Sequence, residues 1–110
     1  MAERIRHAEG PLDGPDDLKQ LRRDLGAWLK SRREAAGLTQ ADLAERLGLK
    51  YYSFISQVEN GVGRIPQDIY PIWAEALCVP PREFAETVIR HLEPGLSRML
   101  EHDEARSDEI

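Results

Sequence analysis

The stretch that decides the fold is LTQADLAERLGLKYYSFISQVENG, residues 38–61 of a chain of 110 residues. Thr39 and Asp42 have the spacing of a capping box, which begins a helix at this point. Gly48 stops that helix, because glycine readily takes the left-handed conformation that follows a helix end. A second helix is predicted from about Tyr52 to Glu59, and the Asn-Gly pair that follows ends it in the same way. The stretch therefore predicts two short helices joined by a tight turn.

The two predicted helices present different surfaces. The apolar positions of the first recur at helical spacing and form its buried face: Leu43, Ala44 and Leu47. In the second, Ile55 and Val58 point inward, Phe54 does so partly, and three polar residues point outward: Ser53, Ser56 and Gln57. A short helix with an exposed polar face, joined to its partner by a tight turn, is the arrangement of a helix-turn-helix. That motif lays its second helix in the major groove of DNA.

Three further helices are predicted around this motif. A first helix, capped by Asp16 and ended by Gly37, has this apolar stripe: Leu18, Leu21, Leu25, Trp28 and Leu29. A fourth, with Pro66 in its first turn, has the stripe Ile69, Ile72, Trp73, Ala76 and Leu77. A fifth opens at Pro81, ends at Pro94-Gly95, and has these apolar residues in register: Phe84, Val88, Ile89 and Leu92. No strand pattern appears, so the sequence predicts an all-α fold.

The predicted organisation is one domain with a segment of different composition at each end. Residues 1–16 contain glycine and proline and no periodic pattern, so they are predicted to form a flexible N-terminal arm. The helix-turn-helix domain spans 17–93, with the motif at about 39–60. Residues 94–110 form an acidic C-terminal tail, in which the pattern also allows a short helix over 96–104. The last ten residues are expected to be disordered.

The net charge of −5 is distributed unevenly along the chain. Residues 1–18 carry −3, residues 19–64 carry +4 and residues 65–110 carry −6. DNA affinity depends on local neutralisation of phosphates, so an acidic remainder does not exclude a DNA partner. It is expected to make binding weaker and more sensitive to salt. From charge alone, an ordinary solvated surface explains the positive segment equally well.

The composition argues against catalysis, metal binding and a membrane. His7, His91 and His102 are scattered, and the single Cys78, placed by the pattern in an apolar helical stretch, has no partner at ligand spacing. No phosphate loop, nucleophile elbow or paired-carboxylate site appears, so no enzyme activity, catalytic residue or cofactor is predicted. No apolar run approaches the roughly 18 residues that span a membrane, and no secretory signal is visible. A cytoplasmic protein, nucleoid-associated when bound to DNA, is expected.

Residues from about 21 to 92 resemble the Cro and phage-repressor-like (Xre-type) family of helix-turn-helix transcriptional regulators. The resemblance is carried by Arg33, Gly37-Leu38-Thr39-Gln40, Leu43-Ala44, Leu47-Gly48, Ile55-Ser56-Gln57-Val58-Glu59-Asn60-Gly61, Arg64-Ile65-Pro66, Ala74-Glu75-Ala76-Leu77 and Val79-Pro80-Pro81. It implies a five-helix, lambda-repressor-like DNA-binding domain, in agreement with the periodicity. One departure is an extra residue between Gly48 and Ile55, within Leu49-Lys50-Tyr51. It shifts the register of the first base-reading positions by up to one residue.

The resemblance also assigns roles to individual residues. The positions that match its base-reading helix are Tyr51, Tyr52, Ser53, Ser56 and Gln57. Those suited to the phosphate backbone are Gln40, Lys50, Asn60 and Arg64. Arg33 and Glu59 match a partly buried structural ion pair. From the residues alone, surface packing of the tyrosines and solvent-facing roles for Gln57 and Arg64 stay open, and Trp28 and Trp73 are expected in the core or a dimer interface.

The leading functional hypothesis is a sequence-specific transcriptional regulator, a repressor, that binds a palindromic operator in double-stranded DNA as a homodimer. The candidate dimer surface comprises Phe84, Val88, Ile89 and Leu92 together with Leu96, Met99 and Leu100. Closure of the monomer core is the alternative role of the fifth helix. The alternative function is an antitoxin of the same fold that neutralises a partner protein and represses its own operon. No separate sensor domain fits in 110 residues.

Overall fold

A computed structural model describes residues 15–108, with side-chain environments over 17–102. Within this range the chain forms six α-helices and no strand. In chain order they are α1 (Pro15–Ala35), α2 (Gln40–Arg46), α3 (Ser53–Glu59), α4 (Tyr70–Ala76), α5 (Pro81–Leu92) and α6 (Pro94–Asp108), with a 3-10 turn (Gln67–Ile69) before α4. The predicted all-α fold is confirmed. The predicted N-terminal arm lies outside the described residues except for its last two positions.

The core forms where α1 packs against α3 and α5, and where α2 and α4 pack against each other and their neighbours. Its largest fully buried side chains are Trp73, Leu29, Leu43 and Ile55. Trp73 lies 6.4 Å from Phe54, and the half-buried Trp28 lies 6.0 Å from Phe84, both measured between ring centroids. The two tryptophans therefore join α1, α3, α4 and α5 into one apolar core.

Four helices end with the same backbone arrangement. After α1, α2 and α3 a glycine takes a positive φ, at Gly37, Gly48 and Gly61. In each case the next N–H donates to the carbonyl five residues earlier, as from Leu49 to Ala44 at 2.8 Å. Cys78 takes this position after α4 with φ of 58°, a conformation that is costly for a residue with a Cβ. The expectation that Cys78 lies within a helix is thus wrong, because it is the exposed residue that ends α4.

The fourth helix differs from the prediction. Pro66 precedes a 3-10 turn, and α4 begins only at Tyr70, with Pro71 in its first turn. Pro71 has no N–H to donate, so a continuous helix through this point would lose a hydrogen bond, whereas a new helix accepts proline at its start. The change of helix rotates Ile72 out of the predicted stripe, and its side chain is exposed.

Both ends of the described chain are more helical than predicted. α1 begins at Pro15, one residue before the predicted cap at Asp16, because proline suits a first turn. The helix expected within 96–104 extends over the whole of α6, so disorder is wrong for residues 101–108. The segment contains Met, Leu, Glu, Arg and Ala, which favour helix, and Pro94 opens it. α6 packs against α5 and leaves Leu96, Met99 and Leu100 exposed.

Candidate nucleic-acid interface

The outer face of α3 is polar along its whole length. Ser53 and Gln57 are exposed and Ser56 is half-buried, whereas Ile55 and Val58 on the opposite face are buried. Positions 53, 56, 57 and 60 follow the i, i+3, i+4, i+7 spacing of one helix face. The exposed Asn60 caps the C-terminus of this face. The structure therefore brings four of the sequence-predicted contact residues onto one surface stripe.

The turn before α3 carries the extra residue. Residues 47–52 connect α2 to α3, whereas a helix-turn-helix usually has a turn of about three or four residues. Leu49 packs against the core, so the added length falls on the exposed segment from Lys50 to Tyr52. Tyr51 and Tyr52 are 65% and 59% exposed, and the Lys50 ammonium lies 5.5 Å from the Tyr51 ring centroid. The extra residue thus lengthens the turn and leaves α3 at seven residues.

The N-terminus of α3 has no side-chain cap. Tyr52 occupies the N-cap position with helical backbone angles, and its side chain bonds to no backbone group there. The first helical hydrogen bond runs from the Ser56 N–H to the Tyr52 carbonyl at 3.2 Å. The amides of the first turn consequently have no partner within the helix. Among the residues that the structure describes, no side chain caps this end of α3, and Tyr51, Tyr52 and Ser53 are exposed there.

The C-terminus of α3 lies in close contact with α1. A Cβ built on Gly26 would lie 2.3 Å from the Glu59 carbonyl oxygen and 2.6 Å from that of Val58. Only glycine therefore allows the two helices to approach this closely. Sequence reasoning missed Gly26. Its signal was an isolated glycine inside a periodic helix, a position that costs about 1 kcal/mol relative to alanine and so implies a packing reason.

A buried ion pair joins the same two helices. Arg33 Nε donates to Glu59 Oε2 at 2.7 Å, and Arg33 Nη2 donates to Glu59 Oε1 at 3.1 Å. Arg33 Nη1 donates to the Leu38 carbonyl at 2.7 Å, so the guanidinium also holds the connection to α2. Both side chains are buried. The hydrogen bonds from the guanidinium to Glu59 raise the pKa of Arg33.

Gln40 belongs to this network as well. Its Nε2 donates to Glu59 Oε1 at 3.0 Å, so the carboxylate of Glu59 accepts hydrogen bonds from α1 and from α2. The sequence assigned Gln40 to a DNA phosphate and did not indicate a contact with Glu59. One N–H of the Gln40 amide remains available beside this bond. The three side chains of Arg33, Gln40 and Glu59 hold α1, α2 and the end of α3 together.

The start of α2, unlike that of α3, is fully capped. Thr39 Oγ1 accepts the Asp42 N–H, and Asp42 Oδ2 accepts the Thr39 N–H, each at 3.0 Å. The predicted capping box is confirmed. The backbone N–H of Thr39 stabilises the carboxylate and lowers the pKa of Asp42. α2 therefore presents a fixed N-terminus from which the Gln40 side chain extends.

The loop after α3 places Arg64 at the surface. Ile65 is buried, and a Cβ on Gly63 would lie 3.3 Å from Gln57 Cβ, so both neighbours of Arg64 are packed against the fold. Arg64 itself is exposed and forms no hydrogen bond or ion pair with the part of the chain that the structure describes. The loop thus presents a cation next to the C-terminal end of α3.

Residues 15–108 also bear on two other functions, metal binding and membrane insertion. Over this part of the chain, no group of three or more His, Cys, Asp or Glu side chains is arranged to hold a metal ion. None of the helices described there is both long and apolar enough to cross a membrane.

Comparison with known families gives one finding. A family model described as a helix-turn-helix domain matches residues 24–87. The match begins in α1, just before Gly26, and ends in α5, so it covers the Arg33–Glu59 pair and the whole of α2, α3 and α4. No curated protein matches the sequence.

Proposed function

Because the chain belongs to the helix-turn-helix domain family, we propose that it is a sequence-specific transcriptional regulator of the Cro and phage-repressor-like type. The observation that carries the proposal is α3. The C-terminus of this helix is fixed by the buried hydrogen bonds of Arg33 and Gln40 to Glu59, and its outer face is an exposed polar stripe. A helix-turn-helix domain is typical of DNA-binding regulators and not of enzymes, and no catalytic role is proposed.

Base contacts are assigned to the exposed front of α3 and the turn before it. Gln57 is exposed and carries an amide that pairs in two places with adenine. Ser53 and Ser56 supply hydroxyl groups that donate or accept. The exposed rings of Tyr51 and Tyr52 suit contact with a thymine methyl group or donation to a phosphate. We expect the longer turn to shift Tyr51 and Tyr52 relative to the positions of the family's base-reading residues, and the outer face of α3 to keep its register.

Phosphate contacts are assigned to the groups around this face. Lys50 and Arg64 lie on the two loops that flank α3, and Asn60 lies at its C-terminal end. The second N–H of the Gln40 amide is the fourth contact. All four lie in the part of the sequence, residues 19–64, that carries a net charge of +4. A local positive surface supports phosphate binding even though the whole chain is acidic.

A homodimer on a palindromic operator follows from the size of the domain, since one recognition helix covers only a half-site. Phe84 and Val88 are buried within the monomer, so α5 closes the core and offers less to a partner than the sequence alone allowed. A strongly apolar groove of about 290 Å³ remains between α4 and α5, with Ile89 at its wall. Beyond α5, α6 exposes Leu96, Met99 and Leu100. These two surfaces are proposed as the dimer contact.

Selection of bound fragments from a random DNA pool tests the proposal. The full chain is expected to enrich a palindrome whose half-sites are about 10 base pairs apart, or a multiple of that distance. Gln57→Ala should enrich the same palindrome with one relaxed position per half-site. Gln20→Ala, an exposed glutamine on α1, is the matched control and should leave the palindrome unchanged. Failure to enrich any sequence at low salt would reject the proposal.

A further inference from the structure

A cavity of about 200 Å³ lies beside the loop that carries Arg64. Its walls come from α1, the end of α3, the loop from Gly63 to Ile65, the start of α4 and the C-terminus of α5. Leu25, Val58 and Leu92 form its apolar part. None of the base-contact residues assigned above lines it, so it is a separate feature of the fold.

Three charged residues line this cavity. Arg22 and Arg64 contribute two cations and Glu93 contributes one anion, and none of the three forms an ion pair or a side-chain hydrogen bond with the residues that the structure describes. Tyr70 is half-buried at the same cavity, and burial together with the charge of Glu93 raises the pKa of its phenol. Convergent polar groups over an apolar floor are what a small-molecule site needs.

The size and charge of the cavity define the class of ligand. An engineered cavity of about 150 Å³ holds benzene, so this one has room for a single ring with a small substituent. Two guanidinium groups against one carboxylate favour a ligand with a single negative charge, and guanidinium pairs well with a planar carboxylate. We infer that the cavity binds a small organic monoanion with an apolar body, of about the size of benzoate.

Such a ligand would regulate the domain through Arg64. Arg64 lines the cavity and is also assigned to a DNA phosphate, and its one guanidinium group cannot pair with both anions at full strength. This consequence rests on the proposed function. Bound ligand should therefore weaken DNA binding by one phosphate contact, and the effector site would lie inside the DNA-binding domain itself.

Benzoate is the probe for the site. A ligand of this size is expected to bind with a dissociation constant on the order of 1 mM. At 10 mM it should raise the Tm of the full chain by about 5 °C. Amide NMR shifts should concentrate at Gly63, Ile65 and Leu92. Neutral benzamide at the same concentration should change neither Tm nor shifts. Equal effects of benzoate and benzamide, or shifts spread over the surface, would overturn the inference.

Two variants within the cavity should move affinity in opposite directions. Arg22→Gln removes one cation and should weaken benzoate binding about tenfold. Glu93→Gln removes the opposing charge and should strengthen it several-fold. Both positions are at least partly solvent-accessible, so both variants should fold, and circular dichroism checks this. A dissociation constant for benzoate that is the same in all three proteins would contradict the assigned site.

The regulatory step is tested on DNA with the same proteins. Saturating benzoate should lower the slope of log affinity against log salt by about one for the wild-type chain. The slope of Arg64→Ala should already be lower by that amount and should not respond to benzoate. The wild-type chain in sodium chloride at the same concentration as the benzoate controls for ionic strength. Benzoate binding without any effect on DNA would overturn the regulatory step. If the wild-type chain bound no DNA at all, the proposed function would be rejected, whereas the NMR experiment with benzoate would still test the cavity.

Discussion

The two ends of α3 are built in opposite ways. At its C-terminus, Gly26 allows α3 to approach α1 closely, and Arg33 and Gln40 both donate hydrogen bonds to the buried Glu59. At its N-terminus, Tyr52 provides no cap and its side chain is mostly exposed. A helix of seven residues has little stability of its own, so its direction is set by the buried side chains of its inner face and by the contacts at its C-terminus.

This difference separates stability from recognition within one short helix. Substitutions at the packed end should unfold the domain or tilt α3. Substitutions at the open end should leave the fold intact and change what the helix binds. Tyr51, Tyr52 and Ser53, which are assigned to base contacts at the open end, are all exposed, so we expect that they can be changed without loss of the fold.

The largest effect on stability is expected for Glu59→Ala. The change leaves the buried guanidinium of Arg33 without its carboxylate and removes the acceptor of Gln40. Loss of one member of a buried pair costs about 3–5 kcal/mol in the free energy of unfolding. Urea denaturation measures this cost. Glu45→Ala, an exposed glutamate on α2, should change stability by less than about 0.5 kcal/mol. A loss below about 1 kcal/mol at Glu59 would show that the packed end is not held by this network.

Gly26→Ala should have the next largest effect. The new methyl group would overlap the Glu59 carbonyl, so α3 must move away from α1. Overpacking of this kind costs about 1–3 kcal/mol, despite the better helix propensity of alanine. Gly95→Ala in α6 is the matched control, because its Cβ would meet only one Arg98 nitrogen at 4.0 Å. Thermal unfolding should show a lower Tm for Gly26→Ala but not for Gly95→Ala. Equal behaviour of the two variants would rule out a close contact at Gly26.

The capped start of α2 gives a pH-dependent prediction. The pKa of Asp42 is lowered in the folded chain, so its stabilising effect is present above the pKa of the unfolded state, near 4, and is lost as pH falls through the lower folded value. Asp42→Asn should thus be less stable than the wild type at pH 7, and the difference should shrink below about pH 4. Urea titrations across this range test the sign. A gap that widens as the pH falls would be inconsistent with the capping box.

The smallest effect on stability is expected for Tyr52→Ala at the open end. The ring is mostly exposed and caps nothing, so the change should stay within about 0.5 kcal/mol. Phe54→Ala, two residues further on, should cost more, because that ring packs 6.4 Å from Trp73. The comparison uses the same urea assay. If Tyr52→Ala destabilised the domain as much as Phe54→Ala, the open end would have a structural role.

The sequence predicted those parts of the fold that are encoded locally. Gly37, Gly48 and Gly61 end helices where expected, and Thr39 with Asp42 begins one, because each depends on a few adjacent residues. The restart of the helix at Pro71 was missed because the apolar stripe continued through it. The contacts of Gly26 with Glu59 and of Gln40 with Glu59 join residues far apart in sequence. A local sequence pattern cannot show such contacts, so they became visible only in the three-dimensional structure.

For the site, the sequence predicted which residues are exposed on α3 and, through the family resemblance, the Arg33–Glu59 pair that holds the helix. It did not predict that Gly26 and Gln40 also hold it. It also left the extra residue between Gly48 and Ile55 unplaced. The structure assigns it to the turn, since α3 begins only at Ser53. Local patterns predict which residues lie on the exposed face of a helix. The register of a turn depends instead on which of its residues packs into the core, and here that residue is Leu49.

The central claim is that α3 and the loop after it recognise DNA through separate groups, with Gln57 selecting bases and Arg64 binding phosphate. Equilibrium binding of the selected palindrome and of a scrambled duplex, across a salt series, tests it most directly. Gln57→Ala should lower the specificity ratio at one position per half-site and keep the salt slope. Arg64→Ala should weaken both duplexes alike and lower the slope by about one. Arg82→Ala, a cation on α5, should do neither. Unchanged affinity and specificity in both Gln57→Ala and Arg64→Ala would contradict the claim.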